Sequence, residues 1–370
     1  MQGRQLDEEM MRRCLQLAQS AAGRTSPNPL VGSLVLDSQG ELVAEGYHPK
    51  AGLPHAEVFA LELAGKRAAG GTLYVNLEPC SHFGRTPPCA DRVIASGVKR
   101  VIVGMQDPNP QVCGAGIARL RAAGITVDFS TLEKECKELN RAFVKRIQSG
   151  LPWLALKMAC TLDGRIADRQ GKSRWISGSE ARAFVHGLRN TYDCVLIGAA
   201  TALADDPELN VREIESGRNP HRAVADPTLR LSASARLCHH ADNSSSWTAI
   251  FTGATQIKSA GAFPAQVKLI EANDAAGRTD FARALRWLAE NDVQSVLCEG
   301  GGRLAAALLE ANLVDEIYWI LAPRLFVDQS ARSVLSGDKA VSIQDCLQLD
   351  DICYRQLGCD MLIQGKIRKP

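Results

Sequence analysis

Apolar and polar positions along this chain follow two periods, one helical and one extended. The opening segment MQGRQLDEEMMRRCLQLAQ reads as an amphipathic helix near residues 7–22, with acids in its first turn. It has no apolar core flanked by a cleavage site, so it is expected to belong to the fold. Two β-rich runs follow, LVGSLVLD and ELVAEGY, joined through SQG in a hairpin pattern. A helix over 56–67, strand TLYVNL, a helix over 88–96, strand RVIVGM, helix GAGIARLRAAG, short strand ITVDF and a helix over 131–148 complete the first set. The alternation predicts a three-layer α/β domain over residues 1–148. The segment QSGLPW then sets Gly150 and Pro152 behind a basic helix end, which is a stop signal and a boundary. A second α/β domain is expected over residues 151–370, with strands WLALKMAC, DCVLIG, HRAVAD, WTAIFTG, SVLCEG and DEIYWILAP. Its helices fall near 179–189, 279–289 and 302–311; HHADNSSSW reads as a loop, and the final GKIRKP as a frayed end.

Composition narrows this picture. A chain of 370 residues exceeds what one hydrophobic core fills comfortably, in keeping with two domains. Apolar residues at 45% and charged residues at 23% belong to an ordinary globular protein. A net charge of +2 gives no field that would draw nucleic acid or a membrane surface, so neither is expected as a partner and an anionic ligand must be held locally. The longest apolar run, CVLIGAATALA, falls short of the ~20 residues that cross a bilayer. Twelve scattered cysteines lack the density of a disulfide scaffold and suit a reducing, cytoplasmic compartment. Cys14, Cys194 and Cys298 stand in apolar surroundings and read as core thiols.

Candidate chemistry gathers in HAEVFALELAG and LEPCSHFGRTPPC, which place His55, Glu57, Cys80 and Cys89 within 35 residues. A hydrolytic zinc site takes three protein ligands from imidazole and thiolate and leaves a fourth position for water, whose pKa the metal lowers to about 7. His55, Cys80 and Cys89 supply such a set. Glu57, two residues past His55 at a helix start, is placed to shuttle protons without ligating. The order His-x-Glu, then Pro-Cys, is the zinc deaminase signature. Eight residues, SHFGRTPP, separate the thiols where two are usual, so the chain must loop out and return, stiffened by Pro87 and Pro88. A zinc that only staples this loop is the competing reading, and the acid beside the ligand imidazole argues against it. His82, inside the loop, is an alternative ligand that lacks the helix support of His55.

The motifs SPNPLVG, EGYHPKAGLPHAE, LEPCSHFGRTPPC and MQDPNPQVCGAG together resemble the bifunctional deaminase and reductase family of riboflavin biosynthesis, in which the eight-residue spacing is typical. The resemblance implies a cytidine-deaminase-like first domain holding one Zn2+ per chain, and a substrate that is a diaminopyrimidinone carrying a ribosylamino phosphate. It puts Asn28 and His48 against the pyrimidine and its sugar, and the loop of Arg85 near the phosphate. A homo-oligomer is a further expectation. Asn28, Asp107 and Asn109 also read as turn residues.

In the second half no Gly-x-Gly-x-x-Gly opens a first strand and helix. SVLCEGGGRLAAALLE instead runs an apolar strand through three glycines into a helix, where free N–H groups face an anion. LKMACTLDGRIA, SRWISG, LIGAATALADDPELNVR and CEGGGRL resemble the reductase half of the same family, whose fold is like dihydrofolate reductase and whose cofactor is NADPH. By that resemblance Ala159, Trp175, Thr201 and Asp205 line the cofactor side, with Gly301, Gly302 and Arg303 at its phosphates. Ser173, Arg189, Leu209, Arg212 and Glu299 fall on the substrate side. Arg189 and Arg212 can pair with the substrate phosphate, and Asp205 or Lys157 is the polar group expected near the reacting carbon. Pro227 stands where the family often has Ser or Thr, with Thr228 next; the lost hydroxyl is expected to weaken one cofactor contact.

Overall fold

The computed structural model describes residues 2–81, 88–110, 112–239 and 245–369; His82, Arg85 and Pro87 lie outside the described residues. The chain divides into two units, residues 1–150 and 151–370. The first runs α1 (Gln2–Gln19), β1 (Gly32–Leu36), β2 (Leu42–Tyr47), α2 (Ala56–Ala64), β3 (Thr72–Leu77), α3 (Cys89–Ala95), β4 (Arg100–Met105), α4 (Ala115–Ala122), β5 (Thr126–Phe129), α5 (Glu133–Leu139) and α6 (Arg141–Ser149). Among the described residues its strands form one sheet in the order β2-β1-β3-β4-β5. Strand β1 is antiparallel to both neighbours, and β3, β4 and β5 are parallel. Successive residues are buried in β3 (Leu73, Tyr74, Val75) and in β4 (Val101, Ile102, Val103), so both sheet faces are covered. Strands buried on two faces read as unbroken apolar runs. Gly46 lets α2 lie close on β2: a Cβ there would stand 2.7 Å from the Ala56 carbonyl oxygen and from the Ala60 nitrogen.

Two helices differ from expectation. The first begins at Gln2 and ends at Gln19, because residues 20–22 turn through Ser20 N–H to Leu17 O, Ala21 N–H to Ala18 O and Ala22 N–H to Gln19 O. The helix expected over 131–148 is broken at Asn140 into α5 and α6. Asn140 is buried, accepts from Leu30 N–H at 2.8 Å and donates to the Leu30 carbonyl at 3.0 Å. It completes the hydrogen bonding of a distant backbone segment at the cost of its own helix.

The second unit runs β6 (Trp153–Thr161), β7 (Arg165–Ala167), α7 (Ser179–Thr191), β8 (Cys194–Gly198), α8 (Ala199–Asp205), β9 (His221–Ala225), β10 (Thr248–Thr252), α9 (Ala254–Ser259), β11 (Val267–Glu271), α10 (Phe281–Glu290), β12 (Ser295–Cys298), α11 (Gly302–Glu310), β13 (Glu316–Ala322), β14 (Arg332–Ser333), β15 (Leu349–Leu357) and β16 (Asp360–Ile367). Among the described residues nine of these strands form a sheet in the order β11-β10-β9-β8-β12-β6-β13-β16-β15, and β7 pairs with β14 separately. The seven strands from β11 to β13 are parallel, and β16 and β15 close the sheet antiparallel. Alternate residues serve two apolar clusters: Leu196 enters one, Val195 and Ile197 the other.

Residues 365–369 of GKIRKP are not a frayed end. Gly365, Lys366 and Ile367 belong to β16, where Lys366 pairs with Glu316 and Gly365 with Ile317. The outermost strand β15 is exposed over most of its length and carries Asp, Arg and Gln, the polar composition of a sheet edge. No helix among the described residues is long and apolar enough to cross a membrane. All twelve cysteines are free thiols, with Cys14, Cys194 and Cys298 buried.

Candidate active sites

Three elements of the first unit converge on one point. His55 is the residue before α2, Cys80 follows β3, and Cys89 opens α3. His55 Nδ1 lies 3.2 Å from Cys89 Sγ and 3.7 Å from Cys80 Sγ, and the three donor atoms all fall within 4.8 Å of one another. Ligands bound tetrahedrally at the usual zinc distances of about 2.0–2.3 Å stand about 3.5 Å apart, so the donor set fits a zinc ion. A hydrogen bond from Cys89, with His55 and the Cys89 N–H assisting, pulls Cys80 down to about 4, whereas the contact with Cys80 and burial drive Cys89 up.

Glu57 lies in the first turn of α2, only 3% exposed. Burial raises its carboxyl above the ordinary value, with His55 opposing. His48 is buried, with its ring edge-on to His55 at 5.4 Å. Its Nδ1–H donates to the Pro54 carbonyl at 3.0 Å, which leaves Nε2 bare to accept from the Asn28 amide at 3.0 Å. Burial lowers the His48 pKa, in keeping with a neutral ring. Asn28 and His48 are thus joined at the rim of the cluster.

Glu78, two residues before Cys80, was not singled out from the sequence. Its buried carboxylate accepts from the backbone N–H groups of Asp107 (3.2 Å), Gly114 (2.9 Å), Gly116 (2.9 Å) and Ile117 (3.1 Å). It ties the strand leading into the cysteine loop to the start of α4. Asp107 itself accepts from Asn109 N–H at 2.8 Å, the turn contact expected of DPNP.

The second unit holds a cavity of about 750 Å3 at the carboxyl ends of β6, β8 and β12, the place where parallel α/β sheets bind ligands. Ala159, Ser173, Trp175, Arg189, Thr201, Asp205, Leu209, Arg212, Glu299 and Gly301 line it. Gly302 and Arg303, expected at the cofactor phosphates, do not. Gly302 is packed beneath β14, where a Cβ would stand 2.6 Å from Ser333 O and 2.9 Å from Val334 O, and Arg303 is exposed on α11. Gly300 joins Gly301 in the wall instead. Trp175 is 60% exposed, with the Arg182 guanidinium 4.5 Å above its ring.

Arg189, expected to pair with the substrate phosphate, lines the cavity and is paired there with a carboxylate. Its Nε and Nη2 donate to the two oxygens of Glu299 at 2.6 and 3.0 Å, and its Nη1 donates to the Asn210 carbonyl at 3.2 Å. Lys157 Nζ stands 3.8 Å from the same carboxylate. Burial alone would raise Glu299, but Arg189 and Lys157 more than offset it and the carboxyl ends below its ordinary value. Burial lowers Lys157, with Glu299 opposing. A buried carboxylate needs such a bidentate partner, and Glu299 has claimed Arg189. His186, Glu208 and Arg236 also line the cavity and were missed; Glu208 stands within LIGAATALADDPELNVR without a role assigned to it, and no motif marks His186 or Arg236, which meet the rest only through folding. Six cationic side chains (Lys157, Arg174, Arg182, Arg189, Arg212, Arg236) face four carboxylates (Asp205, Glu208, Glu213, Glu299), which suits an anionic cofactor such as NADPH.

A histidine and two thiols beside a buried acid in one unit, and a cation-rich cavity at strand ends in the other, define a zinc-dependent deaminase joined to a reductase. The family model described as the cytidine and deoxycytidylate deaminase zinc-binding region matches residues 4–105, and that of the RibD C-terminal domain matches residues 152–363. The riboflavin biosynthesis protein RibD of Escherichia coli (strain K12) is 40% identical over 369 residues, covering 96% of this chain and 98% of its own. That of Aquifex aeolicus (strain VF5) is 38% identical over 366 residues, covering 97% and 98%. Among solved structures, Acinetobacter baumannii RibD superposes with a TM-score of 0.88 at 35% identity, covering 99% of this chain and all 100% of its own. A Thermotoga maritima protein described as a diaminohydroxyphosphoribosylaminopyrimidine deaminase and 5-amino-6-(5-phosphoribosylamino)uracil reductase does so at 0.87 and 35%, with the same coverage. The chain belongs to the RibD family, and it is an enzyme with two activities, a zinc-dependent deaminase and an NADPH-dependent reductase.

Proposed function

We propose that the chain performs consecutive steps on one phosphorylated pyrimidine. The first is hydrolytic deamination of 2,5-diamino-6-ribosylamino-4(3H)-pyrimidinone 5′-phosphate. The second is reduction of its ribosyl group to ribityl, which gives 5-amino-6-ribitylaminouracil phosphate. The observation that carries the reading is the buried Glu57, two residues past His55 in a set of three converging zinc ligands, in the same chain as a cavity rich in guanidinium groups.

When bound, zinc supplies the Lewis acidity that lets water ionise near neutral pH. Glu57 accepts a proton from the attacking water and returns it to the departing amine, so water and the amino group exchange for a carbonyl and ammonia. The linked Asn28 and His48 orient the pyrimidine and its sugar. In the second unit NADPH, when bound, would supply the hydride that reduces the sugar carbon of the opened ribosylamine. Ala159, Trp175, Thr201, Asp205 and Gly301 hold the cofactor against it, with Gly302 and Arg303 behind them at the start of α11. Ser173, Leu209, Arg212 and the Glu299–Arg189 pair hold the substrate, and Asp205 or Lys157 is the group nearest the proton that completes reduction. Position does most of this work. A second half that only binds is the weaker reading, because Lys157, Arg189, Asp205, Arg212 and Glu299 all line one cavity.

The test is the product mass after zinc-loaded protein meets the diaminopyrimidinone ribosylamine phosphate, with and without NADPH. Exchange of an amine for oxygen alone, then gain of two hydrogens with the cofactor, is the expected result. Deamination without reduction would recast residues 151–370 as a binding domain.

A further inference from the structure

The segment 206–213 carries Leu209 and Arg212, and three of its residues, Asp206, Leu209 and Glu213, hold positive φ (38°, 52° and 66°). Non-glycine backbone of this kind persists only where its surroundings fix it. Four side chains do so here. Arg222 Nε donates to the Glu208 carbonyl at 2.7 Å, and Arg189 Nη1 to the Asn210 carbonyl at 3.2 Å. Asn219 Oδ1 accepts from Val211 N–H at 2.6 Å, and His186 Nδ1 accepts from Arg212 N–H at 3.2 Å. Guanidinium and amide groups keep one hydrogen-bonding character at every ordinary pH. Imidazole does not.

We infer that His186 is a positioning residue of the reductase: by accepting the Arg212 N–H it holds the segment that grips the phosphorylated substrate, and it sets the affinity for that substrate. The inference rests on the reading of Leu209 and Arg212 as substrate residues. A backbone N–H can only donate, so the tether exists only while Nδ1 is bare, in the neutral ring with its proton on Nε2. His186 is buried in α7 and forms part of the cavity wall. The charged groups around it are Arg189 on its own helix, Arg212 and Glu213 on the segment it holds, and Glu299 after β12. Burial and the two guanidinium groups lower its pKa, the carboxylates opposing, so the accepting form prevails at neutral pH. Protonation sets two donors face to face and releases Arg212.

Binding of the deaminated ribosylamino phosphate and of NADPH to the full-length zinc-loaded protein, between about pH 5.5 and pH 8, tests this with His186→Ala, His186→Asn and Arg212→Ala. His186→Ala leaves a buried donor without a partner and weakens substrate binding about tenfold, with NADPH binding retained. His186→Asn keeps an acceptor that does not titrate. It restores affinity and removes the acid-side loss that the wild type shows beyond the phosphate's own ionisation, which both proteins share. Unchanged substrate affinity in His186→Ala, an acid-side loss that survives in His186→Asn, or equal loss of NADPH binding would each overturn the inference. If Arg212→Ala binds substrate as well as wild type, the reading of the segment itself fails. If Arg212→Ala weakens binding and His186→Ala does not, only the role of His186 falls.

Discussion

At the scale of the residue, the two sites separate a group that acts from groups that hold. Glu57→Gln keeps the donor set of His55, Cys80 and Cys89 but removes the proton carrier. It should retain zinc by elemental analysis while deamination falls by about 10² to 10⁴. Activity within a factor of two of wild type would take Glu57 out of the mechanism. Cys89→Ser takes out a ligand, so zinc and deamination should be lost together. Glu299 is a different case. Its folded pKa is depressed below 4.5 by Arg189 and Lys157, so it contributes stability above its unfolded pKa that disappears as pH falls through the folded value. Glu299→Gln strands two buried cations and should cost about 3–5 kcal/mol at pH 7. The deficit relative to wild type should shrink in urea denaturation below about pH 4.5. A deficit that stays constant with pH would mean the pair is not the origin of the stability.

At the scale of the element, legibility followed burial. The parallel strands other than β11 were visible as apolar runs because helices cover both faces, whereas β11, at the sheet edge and only half-buried, was not; the zinc ligands were visible because a few residue types at fixed spacing carry that chemistry. Strands β15 and β16 were not, since an edge strand must be polar outside and Gly365 and Lys366 look like the end of a chain. Nor was the break at Asn140, whose reason is a backbone segment 110 residues away. The glycines of CEGGGRL were legible as a set but not in their division of labour: Gly301 faces the cavity and Gly302 lies under β14. Gly302→Ala should therefore behave as overpacking, with a loss of about 1–3 kcal/mol in thermal or urea unfolding. A fully stable variant whose only defect is NADPH binding would return Gly302 to the cofactor.

At the scale of the whole molecule, each site is built by side chains of its own unit, so the two activities should be separable in the intact chain. Chelation of zinc is expected to abolish deamination while reduction of the already deaminated intermediate continues at its former rate; parallel loss of both would contradict this. The carboxylate of Glu78 extends the point. Small zinc domains owe their fold to the ion and unravel without it, but here four backbone N–H groups gathered on Glu78 fasten the approach to Cys80. The enzyme should thus exchange its metal as an ordinary ligand: stripped protein keeps its far-ultraviolet dichroism, and activity returns on adding zinc without any refolding step.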